Sequence, residues 1–106
     1  MIIAILDDGG VMVHDSIADA QGHHEGIDVE DGSVNFFDEK GRRLKPQFIE
    51  PNTRSWFAVR SGRYELKAER DERESLVAAL EAAVYLDPTS LVSSLAELRD
   101  MIGGAK

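Results

Sequence analysis

The sequence predicts an α+β fold: a mainly antiparallel sheet of about five to six strands, with a short N-terminal helix and two C-terminal helices packed on one face. The first two thirds of the chain hold short β-rich runs separated by turn residues. One of these runs alternates apolar and charged side chains, and the last third repeats apolar residues at helical spacing. The length of 106 residues suits a single domain over residues 1–106.

The first elements are expected to be a strand pair and a short helix. Ile2–Leu6 is a continuous apolar run rich in β-branched residues, which predicts a central strand buried on both faces. Residues 7–10, Asp-Asp-Gly-Gly, predict a hairpin turn, and the next four residues predict the returning strand. A helix should then begin at Ser16 as N-cap, with Asp19 in its first turn, and end at Gly22.

A polar connector and a third strand follow this helix. Residues 26–32 are expected to form the connector, with Ile27 and Val29 as its two apolar anchors. Residues 33–37 have the composition of a strand, and residues 38–41, Asp-Glu-Lys-Gly, that of a turn.

Three more strands are expected before the C-terminal third. Pro46 lies in the first of them and has no backbone N–H to donate, so this strand should be at a sheet edge or contain a β-bulge. Residues 51–52, Pro-Asn, end it. Residues 56–59 and 64–68 flank residues 61–62, Ser-Gly, which predicts a second hairpin.

Two helices are predicted at the C-terminal end. Asp71 can cap the first, and residues 87–88, Asp-Pro, should end it and begin the second, because proline suits the first helical position. Ser94 and Glu97 match a capping box, and residues 103–104, Gly-Gly, end the second helix. The expected apolar stripes comprise Leu76, Val77, Leu80, Ala83, Val84, Leu91, Leu95, Leu98 and Ile102.

The formal net charge of −8 is unevenly distributed. Residues 1–40 contain ten acidic residues and one lysine, residues 41–70 eight basic and three acidic, and residues 71–106 three basic and seven acidic. A strongly acidic surface repels nucleic acid and anionic lipid and speeds association with basic proteins, although negative charge can also serve solubility alone. We therefore expect no nucleic-acid and no membrane partner, and basic residues that pair partly with the acidic N-terminal third.

The absence of cysteine excludes disulfides and thiolate metal sites. No signal peptide and no apolar run long enough for a membrane span is visible, so a cytoplasmic location is expected. The basic middle also contains Trp56, Phe57 and Tyr64. These aromatic residues could line an RNA-binding sheet face, but we expect them to alternate with the charges and to face the core.

The patterns of catalytic and metal sites are mostly missing. His14, His23 and His24 are expected to be solvated loop residues, since adjacent histidines on a helix point about 100° apart, and a metal site is the minor alternative. A calcium loop at residues 27–32 fails because Ile27, without a side-chain oxygen, would be the first ligand. No nucleophile elbow or phosphate-binding glycine loop is present. The sequence therefore predicts a binding protein without cofactor, not an enzyme.

Two segments resemble a known class of proteins. They are residues 27–32, Ile-Asp-Val-Glu-Asp-Gly, and residues 36–44, Phe-Phe-Asp-Glu-Lys-Gly-Arg-Arg-Leu, followed by Pro46 and residues 51–52. They resemble small bacterial proteins that begin with a strand pair and short helix and then carry an I-D-V-E-x-G segment and a D-x-x-G-R-x-L hairpin. Many of these look like immunity proteins encoded beside polymorphic or contact-dependent-inhibition toxins. The resemblance covers about half the chain and implies no functional residue.

The resemblance implies an immunity protein that neutralises a cognate toxin. We expect this toxin to be in the first place a nuclease, because nucleases are basic where they hold phosphates, and we expect the chain to be a monomer rather than a homodimer. The alternative is a small protein-interaction or regulatory module that forms a homodimer through the sheet edge containing Pro46. A small metal-dependent enzyme is a third hypothesis. Under the first hypothesis, the carboxylates expected to contact the toxin are Asp28, Glu30, Asp31, Asp38, Glu39, Asp7 and Asp8.

Overall fold

The computed structural model describes residues 1–56 and 58–103. Its elements in chain order are β1 (Ile2–Leu6), β2 (Gly10–His14), α1 (Ile17–His23), α2 (Gly26–Glu30), β3 (Val34–Asp38), β4 (Arg42–Glu50), β5 (Thr53–Ser55), β6 (Ala58–Arg60), β7 (Arg63–Asp71), α3 (Arg73–Ala82), β8 (Tyr85–Leu86) and α4 (Leu95–Gly103). The predicted α+β class with a mainly antiparallel sheet is confirmed.

The main sheet has six strands in the order β7-β4-β3-β1-β2-β8, and β5 and β6 form a separate two-stranded sheet. β1 pairs antiparallel with both β2 and β3, which places the apolar run of β1 in the interior of the sheet. Only the short β8 pairs in parallel, alongside β2. The chain reversal between β1 and β2 therefore lies next to β8.

Side chains that alternate along the strands form a separate apolar core on each face of the sheet. Ile2, Ala4 and Phe36 belong to the core that includes Ala20 of α1 and Val29 of α2. The opposite core combines Ile3, Val11, Val13 and Phe37 of the sheet with Leu76, Leu80, Leu98 and Ile102 of α3 and α4. Each fully buried Ile, Leu or Phe side chain contributes about 1.5–3 kcal/mol of hydrophobic free energy.

The connector predicted at residues 26–32 contains the short helix α2. Val29 is one of its buried residues, and no side chain caps its N-terminus. A side chain at Gly26 would crowd Asn52 and Gly62, so the backbone of α2 lies close to the strand connections. Its five residues are too few to show a helical repeat, and its stability depends on this packing.

The predicted second hairpin is wrong. β7 pairs with β4 over most of its length, and β6 pairs with β5. Phe57, part of the predicted strand at residues 56–59, lies outside the described residues. Residues 61–62 thus connect two sheets and are not a turn between paired strands.

The Pro46 prediction is wrong in one respect and right in another. β4 is not an edge strand, since it pairs with β3 and with β7. Its pairing with β3 is confined to Arg43 and Leu44, so at Pro46 the only paired neighbour within the described chain is β7. Register shifts between residues 42 and 44 and between residues 48 and 50 match the predicted irregularity.

The N-terminal helix largely follows the prediction. Ser16 Oγ accepts a hydrogen bond from the backbone N–H of Asp19 at 3.1 Å, which confirms Ser16 as the N-cap of α1. The helix continues one residue past Gly22, and His24 is its C-cap.

The C-terminal helices differ from the prediction at their connection. Glu72 occupies the N-cap position of α3 without a side-chain hydrogen bond, but the Asp71 carboxylate accepts from the backbone N–H of Arg73 at 2.9 Å and so caps the start of the helix as predicted. Val84 lies beyond the end of that helix, 72% exposed. Pro88 does not begin a helix, because residues 88–93 form turns and bends. α4 begins after Ser94, whose Oγ accepts from the backbone N–H of Glu97 at 3.1 Å, one of the two hydrogen bonds of a capping box. Leu91 was predicted to belong to the apolar stripe of the second helix, but it precedes α4 and is exposed. Gly104, predicted to end this helix, lies outside the described residues.

Candidate protein-binding surface

Five of the seven predicted carboxylates lie at one end of the sheet. Asp7 and Asp8 occupy the turn between β1 and β2, and the Asp7 N–H donates to the carbonyl oxygen of Ser33 at 2.9 Å. This bond places the turn beside the end of α2, to which the other three acids belong. We call this surface the acidic end; its residues are Asp7, Asp8, Asp28, Glu30 and Asp31.

Asp38 and Glu39 lie at the opposite end of β3, roughly 15 Å away at the rise of a five-residue strand. Asp38 is buried, with its side chain 12% exposed, and its carboxylate accepts from the backbone N–H of Lys40 and of Arg42, both at 2.9 Å, and from Arg42 Nε at 2.7 Å. Burial alone would raise the pKa of Asp38, but the hydrogen bonds from Arg42 and Lys40 outweigh it and lower the pKa. Glu39 pairs with the N-terminal ammonium group at 3.0 Å. These two carboxylates are therefore engaged within the chain and separate from the acidic end.

Two exposed apolar residues stand beside the acidic end. Val84 and Tyr85 lie against the turn between β1 and β2, where the N–H of Val84 donates to the carbonyl oxygen of Gly9 at 2.8 Å. The Tyr85 hydroxyl donates to Asp8 Oδ2 at 2.7 Å. This bond lowers the pKa of Asp8 and raises the pKa of Tyr85.

The glycines of the turn make this contact possible. A Cβ at Gly10 would collide with the Tyr85 ring, and one at Gly9, where φ is +90°, would crowd Val84. The sequence pattern did not reveal this patch because it placed Val84 on a helix and gave Tyr85 no role.

Arg54 connects the acidic end to the two-stranded sheet. Its guanidinium group lies 3.1 Å from Glu30 Oε1 and 3.2 Å from Asp31 Oδ1. Both partners are exposed, so each pair stabilises the fold by at most about 1 kcal/mol. Asp7 and Asp28 make no side-chain hydrogen bond or ion pair with residues that the structure describes, and their carboxylates remain available to another molecule.

The expectation about the basic middle is confirmed in part. Trp56 is 94% exposed, against the expectation that it faces the core, whereas Tyr64 is buried as expected. Most of the basic side chains have an acidic neighbour, and their pairs are Arg42–Asp38, Arg43–Glu72, Arg54–Glu30, Arg54–Asp31, Arg63–Glu50, Lys67–Glu65 and Arg70–Glu72. These pairs leave little unopposed positive charge for a polyanion.

The three histidines form a cluster, so their assignment to solvated loops is wrong for His14 and His24, whereas His23 is exposed but lies on α1 and not in a loop. His14 is 4% exposed, with Nδ1 at 3.0 Å from Asp19 Oδ2 and Nε2 at 2.9 Å from His24 Nε2. The His24 ring also packs edge-on against Phe36. Burial lowers the pKa of His14 and lowers that of His24 to about 4. One signal was available in the sequence: His14 follows Met12 at a spacing of two and so shares its buried face.

In the side-chain arrangement of residues 1–56 and 58–103, no three His, Cys, Asp or Glu side chains are placed to hold a metal ion together. None of the helices in these residues is long and apolar enough to cross a membrane. No protein-family model matches the chain, and no curated protein or solved structure is significantly similar to it.

Proposed function

We propose that this chain is an immunity-type protein that binds a basic toxin domain, in the first place a nuclease, through its acidic end. The observation that carries the proposal is the position of the acidic end beside exposed Val84 and Tyr85. Apolar and aromatic anchors bordered by polar groups are typical of protein–protein interfaces.

The inhibitor has to compete with phosphate for the basic groups of the nuclease. Carboxylates form charge-assisted hydrogen bonds with arginine and lysine, as phosphate groups do. Long-range electrostatic attraction between the acidic end and a basic toxin surface raises the association rate. Asp7 and Asp28 can do this without losing an internal contact, whereas Glu30 and Asp31 must share Arg54. The aromatic ring of Tyr85, which Asp8 holds by a hydrogen bond, would supply an anchor that loses little conformational entropy on binding.

The proposal is tested with the gene that precedes the one for this chain. We expect that gene to encode a large secreted protein with a variable C-terminal domain. Production of this domain in bacteria should stop growth, and co-production of the chain should restore it. The purified domain and chain should form a one-to-one complex. Growth arrest that the chain does not relieve, together with no complex at micromolar concentrations, would contradict the proposal.

The homodimer alternative loses its predicted edge, because β4 lies inside the sheet. The free long edge is β7, whose residues 67–71 are exposed and mostly charged, a composition that opposes strand addition. We therefore expect a monomer in light-scattering measurements coupled to gel filtration. A stable dimer at low micromolar concentration would favour the alternative.

A further inference from the structure

The three histidines form a compact cluster of side chains that can act as metal ligands, and the proposed toxin binding makes no use of them. Their ring centroids are 5.3 Å (His14–His23), 5.0 Å (His14–His24) and 5.1 Å (His23–His24) apart. Three imidazoles bound to one tetrahedral ion through N–metal bonds of about 2.0–2.1 Å have ring centres roughly 5 Å apart. We infer that His14, His24 and His23 form a binding site for a divalent transition-metal ion of the zinc, cobalt, nickel and copper class.

His14 and His24 are the first two ligands. Their Nε2 atoms face each other at 2.9 Å, whereas two nitrogens on one tetrahedral ion lie about 3.3 Å apart, so the pair has to open by only a few tenths of an ångström. Both rings are held in place, His14 within the sheet and His24 against Phe36. The two nitrogens thus converge before any ion is bound.

The tautomers follow from the hydrogen bonds. The Asp19 carboxylate accepts a hydrogen bond from His14 Nδ1–H, so His14 Nε2 carries the lone pair of the neutral ring. In the metal-free protein the His24 Nε2–H donates a hydrogen bond to this lone pair. When the ion binds, the His24 proton moves from Nε2 to Nδ1 by exchange with water, and both Nε2 lone pairs point at the ion. Burial lowers the pKa of both side chains and so favours the neutral imidazole form that a metal ion requires.

Asp19 is the positioning residue of this site. A carboxylate that accepts from the second ring nitrogen of a metal-bound histidine fixes its tautomer and raises its basicity. Asp19 lies in the first turn of α1, where its own N–H donates to the N-cap oxygen of Ser16. The helix cap and the metal site therefore depend on the same turn.

His23 supplies the third nitrogen after a side-chain rotation. In the observed arrangement the three side chains do not converge on one point, but His23 is exposed at the C-terminal end of α1, and the ring contacts that its rotation would change are those with His14 and His24 themselves. Water completes the coordination. The ion would join the end of α1 to β2 and so stabilise the fold.

The test uses the full chain without a histidine tag, freed of metal with EDTA and desalted. Zinc is titrated by calorimetry at pH 7, and cobalt is followed by its visible absorption. We expect one saturable site, a tetrahedral cobalt spectrum and a higher Tm with zinc. Absence of saturation at 100 µM metal would overturn the inference.

Variants decide which residues bind the ion. His24→Gln should abolish binding, His23→Gln should weaken it at least tenfold, and Asp19→Asn should weaken it about 10–100-fold at unchanged stoichiometry. Asp15→Asn, a change at a nearby exposed carboxylate, should leave the affinity unchanged. Binding that survives His24→Gln would assign the metal to surface carboxylates and overturn the site, and wild-type affinity in His23→Gln would overturn the three-histidine assignment. Circular dichroism verifies that each variant is folded.

Discussion

Asp38 and Glu39 are neighbours with the same charge, yet the structure uses them differently. Asp38 closes the β3–β4 turn with three hydrogen bonds, and Glu39 makes an exposed pair with the N-terminus. Asp38→Ala should lower the free energy of unfolding by about 1–3 kcal/mol, because it removes three part-buried hydrogen bonds, one of them an ion pair with Arg42. Glu39→Ala, the matched control, should change it by at most about 0.5 kcal/mol. Urea unfolding followed by circular dichroism measures both, and equal losses would contradict the assignment of Asp38.

His24 predicts a pH dependence of stability in the metal-free protein. Its pKa is about 4 in the folded chain and about 6.5 when unfolded, so between these values the unfolded state binds more protons. The contribution of His24 to the free energy of unfolding should therefore be constant above pH 6.5 and should fall as the pH decreases from 6.5 toward 4. Below pH 4 this contribution no longer changes, because His24 is then protonated in both the folded and the unfolded state.

The measurement is an NMR titration of the histidine ring protons with EDTA present. His24 should titrate near pH 4 in the folded chain and near 6.5 in urea. His24→Gln should reduce the loss of Tm between pH 6.5 and 4.5. A folded-state midpoint near 6.5 for His24 would mean that its ring is solvated and that the observed packing is wrong.

At the scale of single residues, sequence reasoning found the caps but not the histidine cluster. Ser16 and Ser94 were predictable because capping is a local interaction within four residues. The contact between His14 and His24 depends on how α1 crosses the sheet, and no local pattern encodes that crossing. The same holds for Tyr85 and Asp8, which are 77 residues apart in sequence.

At the scale of elements, local sequence patterns predicted β1, β2, β3 and α1, because the apolar runs of these elements and the turn residues that bound them are contiguous in sequence. It failed for the partner of β7. A serine–glycine pair between two β-rich runs resembles a hairpin turn, but the residues before it instead pair with β5. Gly62 is used for close packing: a Cβ there would collide with the carbonyl oxygen of Glu50 and with Pro51.

Gly62→Ala should consequently lower the free energy of unfolding by about 2–3 kcal/mol, because the clash is with backbone atoms that no side-chain rotation can move. Gly22→Ala is the matched control: apart from its chain neighbours and the backbone of its own helix, no described atom lies within 4 Å of the added methyl group, and Gly22 is within α1. That change should stabilise the protein by about 0.5–1 kcal/mol. Circular dichroism is the suitable probe, since the single tryptophan is 94% exposed and reports poorly on folding. Equal effects of the two substitutions would contradict the close approach at Gly62.

At the scale of the whole molecule, the charge asymmetry of the sequence becomes a difference between two ends of the sheet. The excess of acids in residues 1–40 predicted an acidic surface, and the structure divides the seven carboxylates predicted to contact the toxin between the acidic end and the internally paired Asp38 and Glu39. Sequence could not make this division because it depends on the pairing of β1 with β3. This division of the carboxylates also determines which of them an experiment should change. The charges of Asp7 and Asp28 can be reversed without removing a contact that holds the described fold together.

The proposed binding mode therefore predicts that Asp7→Lys combined with Asp28→Lys slows association with the toxin domain at least tenfold at about 20 mM salt. Asp15→Lys combined with Glu74→Lys is the matched control, since both acids are exposed, lie away from the acidic end and give the same change in net charge. The control should slow association less than threefold, because long-range attraction depends on where the charge lies as well as on its amount. Stopped-flow measurements with a catalytically inactive toxin domain provide the rates, and 0.5 M salt should remove most of the difference, since the screening length is then about 4 Å. Equal rates for the two variants at low salt would locate the binding surface elsewhere on the molecule, even if the toxin partnership itself is correct.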